Sequence, residues 1–281
     1  VGLHVGLHVC LHVSTSAGAT PAITGHIEVK DVHFAYPAAP EFPVCNGFSV
    51  AIPAGTSCAL CGPSGCGKST LLRILLGQEA PDRGEVRLEG TPLVPFPSPH
   101  RGIVFQKYSA MPHLTCLGNV MLGLELRESP VLGRLFGAAR RRARDEAMAW
   151  LRAVGLDHAA KSFPAALSGG MQQRLALAQS MALKPKILLM DEPFGALDPG
   201  IRADMHQLLF SLWEESGMTV LMVSHDLPEA FSLGTRVLVL DKPDPARPAQ
   251  ITYDLALKPR PVQTHLEKAQ ALAPDAPQTL S

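Results

Sequence analysis

The sequence predicts an α/β domain built around a parallel sheet. Three observations carry that expectation. A strand, a glycine-rich loop and a helix follow one another across residues 56–76. Short, largely apolar segments recur at 187–190, 219–223 and 237–240. Helical segments, 171–181 and 202–215, precede the first two of those. Alternating helices and strands make crossover units, and a strand buried on both faces reads as an unbroken apolar run.

Taken in order, residues 1–13 read VGLHVGLHVCLHV, a near-repeat of period four. On a helix His4, His8 and His12 would share one face, an arrangement that suits a metal. The repeat is also low in complexity and runs into loop-like residues 14–21, so residues 1–24 are expected to be a disordered tail. Ordered structure is expected from about Ile23. Residues 27–33 alternate like a half-buried strand, and 48–52 form another. Residues 56–60 are the apolar strand that feeds the glycine loop, and 69–76 the helix after it. Residues 117–155 are rich in Ala, Leu, Arg and Glu and are expected to be mainly helical. Within them Arg140, Arg141, Arg142 and Arg144 form a basic run. It could meet lipid headgroups or a partner, but a solvated helix face is the expectation. Residues 241–248 look turn-like, 237–240 the last core strand, and 262–281 a loosely ordered polar tail.

Bulk properties narrow the function. With 281 residues and 46% hydrophobic content the chain can bury one large core with a smaller attachment. Lys plus Arg equals Asp plus Glu at 25 each, so there is no electrostatic case for nucleic acid or anionic lipid as the main partner. No apolar run approaches the roughly 20 residues of a membrane span, so any membrane crossing must be made by another chain. The start lacks the basic region of a secretory signal. Six cysteines in a chain of this size do not form a disulfide framework, and a reducing setting is expected. Cys58 and Cys61 make a C-x-x-C, but three residues apart on a strand they point to opposite faces. They are expected to be small core residues, not a redox pair.

The chemistry begins at Gly62, Pro63, Ser64, Gly65, Cys66, Gly67, Lys68 and Ser69, which fit G-x-x-x-x-G-K-[ST]. Glycines let successive N–H groups curl around an anion, and the following helix N-terminus adds partial positive charge. Lys68 can reach the β- and γ-phosphates of ATP, and Ser69 offers a hydroxyl to Mg²⁺. Thr70 completes this nucleotide-contacting set. Asp191 and Glu192 end the apolar strand at 187–190. Asp191 would hold Mg²⁺, and Glu192 would polarise the attacking water as general base. Ser168, Gly169 and Gly170 open a second helix and so make a second anion-binding N-terminus.

Leu167-Ser168-Gly169-Gly170-Met171-Gln172-Gln173 is similar to the signature motif of the ATP-binding subunits of ABC transporters. The chain resembles that family from about residue 27 to 261. The resemblance implies a P-loop NTPase (RecA-like) core with an N-terminal antiparallel β region and a small inserted helical subdomain. The ATP-binding domain would span 25–261, with the subdomain at about 107–172. Further roles are implied only by the likeness. Tyr36 would stack on adenine. Gln106 would sense the γ-phosphate, contribute to the metal site and border the helical subdomain. Asp198, in Ala196-Leu197-Asp198, would belong to a loop that signals across a dimer. His225 would contact the γ-phosphate and orient Glu192.

In the mechanism so implied, two copies sandwich two ATPs head to tail. Lys68, Ser69 and Asp191 of one copy face Ser168 and Gly170 of the other. The surface at residues 105–119, reading FQKYSAMPHLTCLGN, would receive a short helix of a transmembrane permease through Tyr108, Met111, Pro112 and Leu114. A solute-binding protein would be an indirect partner, and the chain would sit on the cytoplasmic face of the cell membrane. The stretch DEPFGALD at 191–198 and the missing span resemble prokaryotic importers with separate subunits, most closely the nitrate, sulfonate and taurine group and relatives linked to urea metabolism. The short C-terminal tail leaves little room for the regulatory barrel of sugar-type importers. The rival is a soluble ABC ATPase of DNA repair or translation, which would carry a longer coiled coil or two motif sets. Cys66 stands at a helix N-terminus, where a thiol pKa tends to fall. It is read either as a reactive thiol protected by ATP or as an inert small side chain.

Overall fold

The computed structural model describes residues 24–95, 98, 100–105, 110–129, 133–195, 197–242 and 248–257. The expected N-terminal and C-terminal tails, Gln106, Tyr108 and Ala196 lie outside the described residues. Two sheets and a helical layer organise the rest. β1 (Ile27–Phe34), β2 (Cys45–Ile52), β4 (Arg83–Leu88) and the short β5 (Thr91–Pro92) form an antiparallel sheet in the order β2-β1-β4-β5. The second sheet brings together β3 (Ser57–Cys61), β6 (Arg101–Val104), β7 (Ile187–Asp191), β8 (Thr219–Ser224), β9 (Arg236–Asp241) and β10 (Gln250–Ala256) in the order β10-β9-β3-β8-β7-β6. It is parallel from β9 to β6, and β10 runs antiparallel along β9.

Each central strand is buried on both faces, and its side chains divide by the period of two. From β3, Cys58 and Leu60 enter a core closed by the antiparallel sheet and by α1 (Lys68–Leu76). Ala59 and Cys61 enter a second core on the opposite face. That core is closed by α4 (Gly169–Ala182), α5 (Pro199–Ser216) and α6 (Leu227–Leu233). Cys58 and Cys61 are therefore separated by the sheet itself, as the spacing predicts. Burial pushes their thiols up to about 12 and about 11.

The helical segment of the sequence becomes α2 (Cys116–Glu128) and α3 (Gly137–Ala153), packed on α4 around Leu124, Leu151 and Leu175. Thr115 caps α2 by accepting from the Gly118 N–H at 3.1 Å, which fixes where that helix begins. α4 is buried on nearly all sides because it serves two cores. Ala176, Leu177 and Met181 meet the sheet, while Leu175, Ala178 and Ala182 meet α2 and α3. Such a helix carries no amphipathic stripe. Arg140, Arg141, Arg142 and Arg144 are exposed on α3, a solvated face. Among the described residues no helix is long and apolar enough to cross a membrane.

One backbone feature of the antiparallel sheet is testable. β1 bulges between Lys30 and His33 where it pairs with β4, and Asp31 takes a left-handed φ of 46°. Gly84 lies opposite with φ +90°, and a Cβ there would sit 2.1 Å from the Asp31 carbonyl oxygen. Gly84→Ala combines a left-handed penalty of about 1–2 kcal/mol with a backbone overlap. Gly90 has φ +73° but open space around it. Thermal unfolding should therefore show a larger loss of Tm for Gly84→Ala than for Gly90→Ala, and equal losses would refute the packing argument.

Candidate functional site

The register of the parallel sheet brings the chemistry to one edge. Cys61 at the end of β3 pairs with Ser224 at the end of β8, and Asp191 at the end of β7 pairs with Val223. Three adjacent strands thus deliver the Gly62–Ser69 loop, His225, and Asp191 with Glu192 to the same carboxyl edge. Ligands of open α/β sheets gather at that edge.

The loop wraps the start of α1. Gly67 is its N-cap with φ 98° and ψ 7°, and no side chain caps the helix. A Cβ on Gly67 would come within 2.7 Å of Val44 Cγ1, so only glycine fits both the dihedral and the space. The N–H groups of the first turn then have no helical carbonyl to meet and point out as donors. Lys68 is buried at 5% exposure. Its Nζ donates to the Gly62 and Pro63 carbonyl oxygens, both at 2.8 Å, and lies 3.8 Å from Cys66 Sγ. The partners that hold this buried side chain are neutral carbonyls, an arrangement that suits an anionic ligand beside it. Beside it a cavity of about 410 Å³ is lined by residues that include Tyr36, Val44, Ser64, Lys68, Ser69 and Glu192. These features fit a nucleotide polyphosphate.

Ser69 Oγ donates to Asp191 Oδ1 at 3.0 Å. Burial pushes the Asp191 carboxyl up, against the Ser69 hydrogen bond, and the neighbouring Glu192 charge adds to the rise. A cation beside this oxygen pair would relieve that desolvation. Among the described residues no cluster of three His, Cys, Asp or Glu side chains could hold a metal alone. One carboxylate and one hydroxyl suit Mg²⁺, which takes its remaining ligands from phosphates and water.

Glu192 follows with φ 46°, a left-handed conformation costing a non-glycine residue about 1–2 kcal/mol. Its N–H donates to the Val223 carbonyl at 3.0 Å, which anchors the turn. The result aims the carboxylate at His225, whose Nδ1 lies 3.4 Å from Glu192 Oε2. Strain of this kind gathers where geometry serves chemistry.

Beneath this pair lies a polar cluster that sequence reasoning missed. Glu229 on α6 is buried, accepts from the Ser224 hydroxyl, and lies 3.1 Å from His206 Nε2 on α5. Burial alone would raise the Glu229 carboxyl, but the hydrogen bonds from His206 and Ser224, with the charges of His206 and Arg202, bring it below its ordinary value. An acid five residues after Ser224 looks in sequence like any solvated helix residue. Only the fold turns it inward.

The remaining expected residues distribute as follows. Tyr36 is half-buried, packs edge-on against Phe34 with centroids 5.0 Å apart, and shares a hydrogen bond of 3.1 Å with the Thr70 hydroxyl. Pro63, Ser64 and Gly65 are exposed on the loop. Cys66 is 3% exposed and packed in the core. The reactive-thiol reading is therefore replaced by the inert one, because burial denies reagents access. Native thiol titration of a Cys10→Ser variant should label none of Cys45, Cys58, Cys61, Cys66 and Cys116 rapidly. Fast labelling protected by ATP would restore Cys66 as a reactive group. Ser168 caps α4 by accepting from the Met171 N–H at 3.4 Å. Ser168 and Gly169 are exposed, and among the described residues neither they nor Gly170 lines the cavity beside Lys68. Gly170 abuts Ile201 on α5, where a Cβ would fall 2.6 Å from Ile201 Cγ2. Asp198 stands exposed at the N-cap of α5.

Comparison with known proteins gives a consistent picture. A family model described as ABC transporter matches residues 45–195. The chain is 44% identical to a taurine import ATP-binding protein of Pseudomonas aeruginosa, over 73% of each chain. It is 37% identical to a nitrate import ATP-binding protein of Synechocystis, over 83% of this chain and 82% of that one. Its fold matches the dimeric structure of an ATP-binding cassette in a post-hydrolysis state, bound to ADP and Pi. The TM-score is 0.69 at 30% identity, covering 83% of this chain and 99% of the other.

Proposed function

The chain belongs to the ABC transporter family of ATP-hydrolysing cassettes, and on that premise we propose that it is the motor subunit of a prokaryotic importer for a small anion or sulfonate such as nitrate or taurine. The import ATP-binding relatives favour this over a soluble repair or translation ATPase. The solute class rests on their likeness.

Each residue then takes a role. The Gly62–Ser69 loop and Thr70 hold the phosphates of ATP, and Tyr36 stacks on adenine. Ser69, Asp191 and Gln106 would hold Mg²⁺. When bound, Mg²⁺ neutralises charge on the β- and γ-phosphates. Glu192 draws a proton from the attacking water. The water oxygen bonds to the γ-phosphorus as the bond to the bridging oxygen breaks, releasing ADP and phosphate. His225 holds Glu192 in place and meets the γ-phosphate.

The observation that carries the dimer is the separation of two anion sites within one chain. The cavity beside Lys68 lacks Ser168–Gly170, and the exposed α4 N-terminus lacks a phosphate loop. A second copy, head to tail, supplies each with its missing half, and Asp198 lies in the loop between them. Membrane attachment is assigned to the surface at residues 105–119, on the cytoplasmic face. There Asn119, 1% exposed, pins the loop by accepting from the Met111 N–H at 2.7 Å and donating to the Met111, Leu114 and Thr115 carbonyls. Met111, 43% exposed, is offered to a permease helix, and a solute-binding protein acts on the far side of that permease.

ATPase activity measured against chain concentration tests the shared site. The rate per chain should rise with concentration toward a plateau. A rate per chain that is constant down to dilute, monomeric solution would reject a site built from two copies.

A further inference from the structure

The turn that carries His225 has little to hold it directly. The His225 side chain is 59% exposed, with Glu192 at 3.4 Å. Its position is set by its neighbours. Ser224 Oγ accepts from the Asp226 N–H at 3.0 Å and donates to Glu229 Oε2, so one hydroxyl clasps both sides of the turn. Asp226 Oδ2 lies 3.5 Å from Arg202 Nη1, and its other oxygen accepts from the Glu229 N–H at 3.4 Å.

The same cluster reaches the loop that carries Glu192. Glu229 Oε1 pairs with His206 Nε2 on α5 at 3.1 Å. The His206 ring meets Phe194 edge-on at 5.0 Å, and Phe194 is fully buried two residues after Glu192. Arg202 Nη2 donates to the Leu197 carbonyl at 3.1 Å, just before Asp198. A carboxylate accepts and does not donate, so the His206 nitrogen facing it carries the hydrogen.

From this geometry we infer that Glu229, paired with His206, is a positioning residue that sets the distance between Glu192 and His225 and ties both to the Asp198 loop. The inference rests on the roles proposed for Glu192 and His225. Glu229 touches no reacting atom. It is a strut between the two loops that do, and both of its oxygens are committed to donors. An amide in its place removes the charge and turns one acceptor into a donor, so the Ser224 hydroxyl or the His206 ring must reverse its hydrogen bond and the clasp on the turn is weakened. Displacements of about 1 Å at a reacting pair cost up to about 100-fold in rate.

The test uses the purified full-length chain with four variants, Glu229→Gln, His206→Leu, His206→Gln and Glu192→Gln. The kcat, the KM for ATP, fluorescent-nucleotide affinity and Tm are measured for each. Glu229→Gln and His206→Leu should lower kcat about 10-fold with KM and nucleotide affinity nearly unchanged. His206→Gln, which keeps an N–H for Glu229, should recover most of the rate. Wild-type kcat in Glu229→Gln beside an inactive Glu192→Gln overturns this inference alone. A loss that tracks Tm or nucleotide binding in all three strut variants also overturns it, leaving a scaffold role. Should Glu229→Gln fail to fold, the contrast between His206→Leu and His206→Gln decides the matter, and equal rates would count against the strut. Full activity in Glu192→Gln removes the underlying roles and this inference with them.

Discussion

Glu192→Gln is expected to bind ATP and to stop turning it over, leaving a closed dimer with nucleotide trapped inside. The amide matches the carboxylate in size and can keep the backbone bond from the Glu192 N–H to the Val223 carbonyl. What it loses is proton affinity. A positioned general base contributes about 10²- to 10⁴-fold, so hydrolysis should fall by at least about 100-fold while nucleotide affinity holds. In the proposed mechanism ATP binds preferentially to the closed state and so drives closure, and hydrolysis removes that ligand. Without hydrolysis the closed dimer should accumulate. Size-exclusion chromatography with multi-angle scattering would read it as an ATP-dependent dimer peak that ADP does not produce. A variant that stays monomeric with ATP, or hydrolyses it at the normal rate, would take Glu192 out of the general-base role.

Lys68→Ala should act one step earlier and abolish tight nucleotide binding. The ammonium is buried and is held by the Gly62 and Pro63 carbonyls of the proposed phosphate loop. A hydrogen bond to a charged group is worth about 1.5–3 kcal/mol, or roughly 10- to 150-fold in affinity at 1.4 kcal/mol per tenfold. Removing the side chain also leaves the Gly62 and Pro63 carbonyls without this donor, so some stability is lost as well. Calorimetric titration with ATP separates the effects, because Lys68→Arg keeps the charge but not the fit. Lys68→Ala binding ATP within a few-fold of the wild type would show that the backbone N–H groups alone carry the phosphate.

The candidate site was legible in sequence where backbone geometry demands particular residues. Glycine, lysine and serine at set spacing after a strand can be read directly, because the N-cap dihedral of Gly67 and the reach of Lys68 are local properties. Asp191 and Glu192 at the end of an apolar run were legible for the same reason. β4 was not, because its sequence RGEVRL buries only Val86 fully, and antiparallel pairing, not hydrophobicity, makes it a strand. β6 is four residues containing Arg101 and Gly102. β10 lies exposed along one side of β9. α6 is seven residues long, too short for a helical period to declare itself.

The sequence by itself determined the fold class, the phosphate loop and the separation of Cys58 from Cys61. Each follows from the dihedral preferences or the side-chain period of a few consecutive residues. Tertiary structure alone decided that His225 meets Glu192, that Ser69 meets Asp191, and that Glu229 turns inward to His206. Those pairs are 33, 122 and 23 residues apart in sequence or join different elements, and their meeting depends on the order in which β3, β8 and β7 lie side by side. Strand order is set by the packing of two cores on opposite faces of one sheet. No local run of residues encodes that sum, so the meeting of the candidate catalytic groups became visible only once the sheet was assembled.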